Sequence, residues 1–199
     1  MNSMEGCRQM RLTRKMKTGP IVLVVVAAVS VLAGCWNPVD PDPGGGSGFQ
    51  YYTFCDSAWK VLKNLEYSYL SRDIDHYMAC FREDFEFHLL EVDWADYDGD
   101  GIVDQYWGID LEEAFSTAMF DFVDDIDLGL SGTAEWPWSG DSTGQSWELQ
   151  RTFSLKVYYT IPGSPYDGSQ ASGTALFICR TDTSTGEWYI WQWYDQSET

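Results

Sequence analysis

The chain has 199 residues, 44% of them hydrophobic and 16% aromatic, and it carries 31 Asp+Glu against 12 Lys+Arg. So acidic a surface repels polyanions, which excludes nucleic acid and anionic lipid headgroups as ligands and leaves cations, basic peptides and neutral molecules.

Arg8, Arg11, Arg14, Lys15 and Lys17 form a basic stretch ahead of the apolar run from Ile21 to Ala33. A helix of that length falls short of the roughly 30 Å hydrocarbon core, so the pair reads as a targeting segment and not as a membrane span. It ends in Leu32-Ala33-Gly34-Cys35, which resembles the bacterial lipobox. That resemblance implies cleavage before Cys35, a diacylglycerol on its thiol, and an exported protein of the cell envelope lipid-anchored to a membrane. Acyl chains of this kind hold at about 0.8 kcal/mol per buried CH₂. An ordinary secretory signal is the alternative. Residues 1–34 take five bases and one acid with them, leaving seven bases against thirty acids, or roughly −23. Residues 35–49, rich in Pro and then in Gly, read as a tether, and residues 50–199 are the size of one domain with one core.

Within that domain, Cys55, Ala58, Leu62, Leu65 and Tyr69 recur at steps of three and four, one face of an amphipathic helix. Asp73 can cap a second, shorter helix in which Ile74, Tyr77 and Phe81 share a face. "DFEFHLLEV" then alternates, with Phe85, Phe87 and Leu89 on one side and Glu86 and His88 on the other, as in a half-buried strand with His88 facing out. Cys55, Cys80 and Cys179 allow one disulfide and one thiol, in three pairings, or stand as three buried small hydrophobes. His76 and His88 are too few for a histidine-based metal site.

An acidic loop follows within residues 93–107. Asp96, Asp98, Asp100 and Asp104 occupy positions one, three, five and nine of a loop in which Gly101 makes the turn at six and the Ile102 carbonyl stands at seven, as in an EF-hand. Hard oxygen ligands at this spacing suit Ca²⁺ as a structural ion. The departure is at position twelve, where Trp107 replaces the bidentate Glu, so affinity is expected near the roughly 10⁻⁴ to 10⁻³ M of extracellular sites. The alternative is a solvated acidic turn, in which four charges about 5 Å apart repel by about 0.8 kcal/mol per pair.

Asp110, with Glu113 three residues on, offers the cap of a third helix running to about Phe120. Beyond it everything is strand-like. Ile126, Leu128 and Leu130 alternate, "SWELQRTFSLKVYYTI" is one long strand, and "SGTALFICRTD" and "EWYIWQWYD" pair across the turn-rich "TSTG". Rings stand on both sides of the last strand. Helices first and strands later predict an α+β domain with an antiparallel sheet curved around its N-terminal helices.

Four motifs in this order resemble the nuclear transport factor 2-like superfamily, in particular its SnoaL-like members. They are Tyr69-x-x-Arg72-Asp73-x-x-x-Tyr77, Asp84-Phe85-x-Phe87, Trp107-Gly108-x-x-x-Glu112, and Trp188-x-Ile190-x-x-Trp193-x-Asp195. The resemblance implies a cystatin-like cone, a strongly bent sheet around a long helix with a pocket at its open end. It carries over no catalytic residue. Tyr77 and Asp84 stand nearest to polar groups of the pocket mouth, and read otherwise as a core residue and a strand-leading cap. The expected function is a non-catalytic binding or envelope-associated cone, its partner a small apolar ligand or an envelope protein. One alternative is a SnoaL-like isomerase or hydro-lyase acting on a small apolar molecule in the cone. Another is glycan binding through exposed rings, Trp136 and Trp138 in "EWPW".

Overall fold

The computed structural model describes residues 49–161 and 168–197. Cys35, the leader before it and nearly all of the tether lie outside the described residues. No helix among the described residues is long and apolar enough to cross a membrane.

Helix α1 (Ala58–Ser71) forms where the three-and-four spacing places it, and buries Ala58, Val61, Leu62, Leu65 and Tyr69 along one stripe. It ends because Arg72 takes a left-handed conformation at φ 54°, a position that usually selects glycine. The Asp73 amide then closes back onto the Ser68 carbonyl at 2.9 Å. Arg72 brings an interaction that glycine would lack, since its Nη1 donates to the Val123 carbonyl at 2.6 Å and so ties the end of α1 to a distant segment. Asp73 in turn caps α2 (Ile74–Met78), its Oδ1 accepting from the His76 amide at 3.1 Å.

The remaining elements are β1 (Phe81–His88), a single 3₁₀ turn at Glu91–Asp93, β2 (Tyr106–Gly108), α3 (Ile109–Phe122), β3 (Asp125–Pro137), β4 (Ser146–Tyr158), β5 (Gly168–Thr181) and β6 (Trp188–Ser197). The six strands make one sheet in the order β2-β1-β6-β5-β4-β3. Its long strands are bent by bulges, one in β3 between Ser131 and Ala134 and one where β5 meets β6. Gly132 permits the first of these. It sits at φ 129°, and a Cβ there would lie 3.2 Å from the Gln150 carbonyl oxygen. One face of the bent sheet shares a single core with α1, to which Leu149, Phe177, Cys179 and Ile190 belong, with Phe177, Cys179 and Ile190 fully buried.

Several expectations shift. The sheet is mixed, not wholly antiparallel: β1 runs parallel to β6, pairing Phe87 with Trp193, while β2 is antiparallel to β1. Cys55 precedes α1, and Phe81 opens β1 instead of closing α2. Leu89 lies past β1, where its amide donates to Gln105. Helix α3 starts from Gly108, so Asp110 lies in its first turn and does not cap it, and it runs on to Phe122. The alternation of β6 is broken by its bulge. Ile190 pairs with Cys179 and Gln192 with Ile178, so Ile190 and Trp193 share the core face while Gln192 takes the other. Cys55, Cys80 and Cys179 are free thiols, and Cys80 and Cys179 are buried among apolar side chains.

Leu65 is fully buried against the sheet, so Leu65→Ala is expected to cost about 2–5 kcal/mol. Urea unfolding should show a lower midpoint with an unchanged slope, and an unmoved midpoint would mean that α1 does not hold the core.

Candidate functional site

The concave face of the sheet is not filled. Between α3 and the strands lies a cavity of about 180 Å³ whose wall is almost wholly apolar. Helix α3 contributes Phe115, Ser116, Met119 and Phe122, and β3 to β5 contribute aliphatic side chains such as Leu128, Leu155 and Ala175. Strands β1, β2 and β6 bring rings together. Phe87 and Trp107 stack at 4.6 Å and 6°, Trp193 lies 5.2 Å from Phe87, and Phe115 meets Trp107 edge-on at 4.9 Å. Phe122 is exposed, and Tyr97, Met119 and Tyr159 are half-buried, so part of the wall reaches the surface.

Two carboxylates belong to this wall, Glu112 and Asp195. Glu112 is buried on α3 and accepts three hydrogen bonds: from the Tyr77 hydroxyl at 2.5 Å, the Trp107 indole at 2.7 Å and the Ser116 hydroxyl at 2.8 Å. A buried acid needs such donors, since leaving it unsatisfied would cost several kcal/mol, roughly. Tyr77 therefore stands one layer behind the cavity, fully buried, and meets its wall through Glu112 and the Tyr69 ring. Asp84 lies exposed elsewhere, with Arg180 Nη1 at 3.9 Å.

The acidic loop adjoins the same wall. An isolated bridge between Ala95 and Asp104 closes it, the Asp104 amide donating to the Ala95 carbonyl at 2.8 Å. Carboxylate oxygens of Asp96, Asp98 and Asp104 lie within 4.8 Å of one another. Asp100 is outside that group and accepts from the Ile102 amide at 2.7 Å, while the Ile102 side chain is exposed. Amides of Gly99 and Gly101 donate to Asp96, that of Asp100 to Asp98 and that of Tyr97 to Asp104, so backbone dipoles offset part of the repulsion within the loop. Gly99 and Gly101 take φ 81° and 90°, which the tight turn requires. Two side chains leave the loop for the cavity. Tyr97, at position two, packs edge-on to Trp107 at 5.4 Å and donates from its hydroxyl to the Asp93 carbonyl. Trp107, at position twelve, is a buried part of the wall.

Neither histidine is there. His88 stacks on Tyr194 at 4.1 Å with Glu86 at 3.0 Å, and His76 stacks on Tyr51 at 3.7 Å. Trp138 and Trp191 meet at 5.3 Å with the Arg180 guanidinium 3.0 Å above the Trp191 ring, while Trp136 is exposed. Sequence reasoning missed Glu112, Tyr97 and Asp195 as cavity groups, and took Trp107 as a motif residue and a missing ligand without placing it in the cavity. A signal for Glu112 was present, because it shares its stripe of α3 with Phe115, Ser116 and Met119, at steps of three, four and seven.

No protein-family model matches the sequence, and neither does any curated protein. Solved structures do match. A candidate scytalone dehydratase from Novosphingobium aromaticivorans aligns over 71% of this chain and 81% of its own, at 11% identity and a TM-score of 0.53. An uncharacterized cystatin-like protein from Caulobacter vibrioides aligns over 72% and 89%, at 11% identity and 0.52. A nuclear transport factor 2-like superfamily protein from Salmonella enterica aligns over 70% and 87%, at 10% identity and 0.50. At such identities the likeness is one of fold: the domain has the cystatin-like cone fold of these structures.

Burial, and after it the Glu112 charge, pushes the Tyr69 and Tyr77 hydroxyls well above the ordinary tyrosine range. The stability that these neutral phenols contribute is complete below about pH 10, where an unfolded tyrosine ionises, and is lost as pH rises further. Titration of phenolate absorbance should leave two tyrosines un-ionised until the far-ultraviolet dichroism collapses. Ionisation of every tyrosine in an intact fold would contradict this.

Proposed function

We propose that this nuclear transport factor 2-like cone is the binding domain of an exported lipoprotein, held on a membrane of the cell envelope through Cys35, and that it takes a small apolar molecule into its cavity without converting it. The cavity is the observation that carries this reading. Its rings and aliphatic groups offer a preformed apolar site of about 180 Å³, and an engineered apolar cavity of roughly 150 Å³ already accepts benzene. The dehydratase name among the structural neighbours speaks for an enzymatic alternative. Against it, the buried Glu112 directs its oxygens to Tyr77, Trp107 and Ser116, which leaves it poorly placed as a general base.

The reading includes Ca²⁺ as a staple of the loop 96–104. Ligands on opposite sides of a Ca²⁺ ion stand about 5 Å apart, twice the bond length of 2.3–2.6 Å. The separation of at most 4.8 Å among the oxygens of Asp96, Asp98 and Asp104 fits one ion between them, and the loop spacing offers Asp100 and the Ile102 carbonyl as further oxygens.

Two measurements test these points. Calorimetry with toluene and benzyl alcohol should give saturable binding that Leu130→Trp, which fills the wall, abolishes; equal heats with that variant would overturn the cavity reading. Millimolar Ca²⁺ should raise the melting temperature by a few degrees and EDTA should reverse it, with Asp98→Ala removing the response. Melting that ignores both Ca²⁺ and EDTA would rule out the metal.

A further inference from the structure

The cavity has a chemical bias beyond its apolarity. Among its described lining residues the only charged side chains are acids, Glu112 and Asp195, with no Lys, Arg or His. The rest of the wall that matters is aromatic: Tyr69, Phe87, Tyr97, Trp107, Phe115 and Trp193. Aromatic faces carry the negative side of a ring quadrupole, and carboxylates beside them add to a negative potential that the low dielectric of the cone strengthens. Burial first, and after it the charges of Glu112 and Asp195, push the Tyr69 hydroxyl above the ordinary tyrosine range. Asp93, just outside the loop, has its carboxyl pushed up by burial and then by the Asp195 charge.

We infer that the cone selects an organic cation, a single ring or chain of comparable bulk bearing an amine or quaternary ammonium group. This rests on the reading of the cone as a binding cavity. The acids and ring faces bind the cationic end, and the aliphatic strands opposite take the apolar end. An anionic ligand of the same shape would meet two like charges, and the described lining residues offer it no Lys, Arg or His. A neutral one would gain only its buried area. A quaternary ammonium over ring faces is attracted without needing a hydrogen bond, which suits a wall whose Glu112 acceptors are already engaged. The acid surplus of the whole domain adds steering of cations towards the mouth.

The test compares three benzyl probes that differ in charge: benzyltrimethylammonium, its uncharged carbon isostere neopentylbenzene, and the smaller anion phenylacetate. Quenching of tryptophan fluorescence reads occupancy, since Trp107 and Trp193 form part of the wall. At physiological salt the cation should bind at least about tenfold more tightly than neopentylbenzene, with phenylacetate weakest. Asp195→Asn, checked for an unchanged fold by circular dichroism, should reduce that ratio several-fold, and Leu130→Trp should remove binding of the cation altogether. Equal or tighter binding of neopentylbenzene overturns the cation preference and leaves the apolar cavity standing. Cation binding that survives Leu130→Trp assigns it to the acidic exterior and overturns the inference as well. If no probe binds, the cavity reading falls and the inference falls with it.

Discussion

The carboxylate of Glu112 is the point on which the inside of this domain is organised. An acid placed at 4% exposure is tolerated only with hydrogen-bond donors around it, and the three it has come from three different elements, α2, β2 and α3 itself. Each bond fixes something larger than itself. Holding the Trp107 indole sets that ring flat on Phe87, which makes one wall of the cavity. Holding the Tyr77 hydroxyl sets that ring edge-on among Tyr69, Phe81 and Phe120, where α1, α2, α3 and β1 meet. The polar cluster and the apolar core are thus one construction, in which a single acid orients the rings that then exclude water from it.

The same economy holds at the ends of the helices. Arg72 occupies a backbone conformation that costs a non-glycine residue about 1 kcal/mol, and its guanidinium returns a bond to the carbonyl where α3 gives way to β3. Outside the sheet, where water covers the surface, charges sit in ordinary exposed pairs such as Lys60 with Asp56, which contribute little. The electrostatics that shape this protein lie at the wall of the cone and in the adjoining loop, joined by Tyr97 and Trp107.

Much of the architecture was legible from periodicity. The α1 stripe, the Asp73 cap and the long strands of the second half followed from spacing, because local burial alone dictates them. The resemblance of the four ordered motifs pointed to a cone, which is the fold found. Pairings between remote segments left no such mark. Nothing in "DFEFHLLEV" says that its neighbour is a parallel strand about a hundred residues on, and the bulge that turns Trp193 inward is invisible in an alternating string. In the site, the acidic loop was conspicuous because glycines and acids at fixed intervals have few other uses. Glu112 was hidden by its position near a helix start, where acids are commonplace. Only its coincidence with Phe115, Ser116 and Met119 on one stripe marked it as buried. Trp107 drew attention as the ligand a calcium loop should have had, and its role became visible when the structure placed it against Phe87.

The position of β6 has a consequence for how the molecule is put together. That strand lies between β1 and β5, so the strand nearest the C-terminus is the seam joining the two halves of the sheet. Until it is available, β1 with β2 forms one fragment and the meander of β3, β4 and β5 another, each with a raw edge. Closing the seam brings together residues more than a hundred positions apart, a slow step by loop-closure entropy. It also places Trp193 and Asp195 into the cavity wall. The cavity wall is therefore complete only once that strand is in place, and a chain interrupted a dozen residues early would lack its Trp193 and Asp195 side.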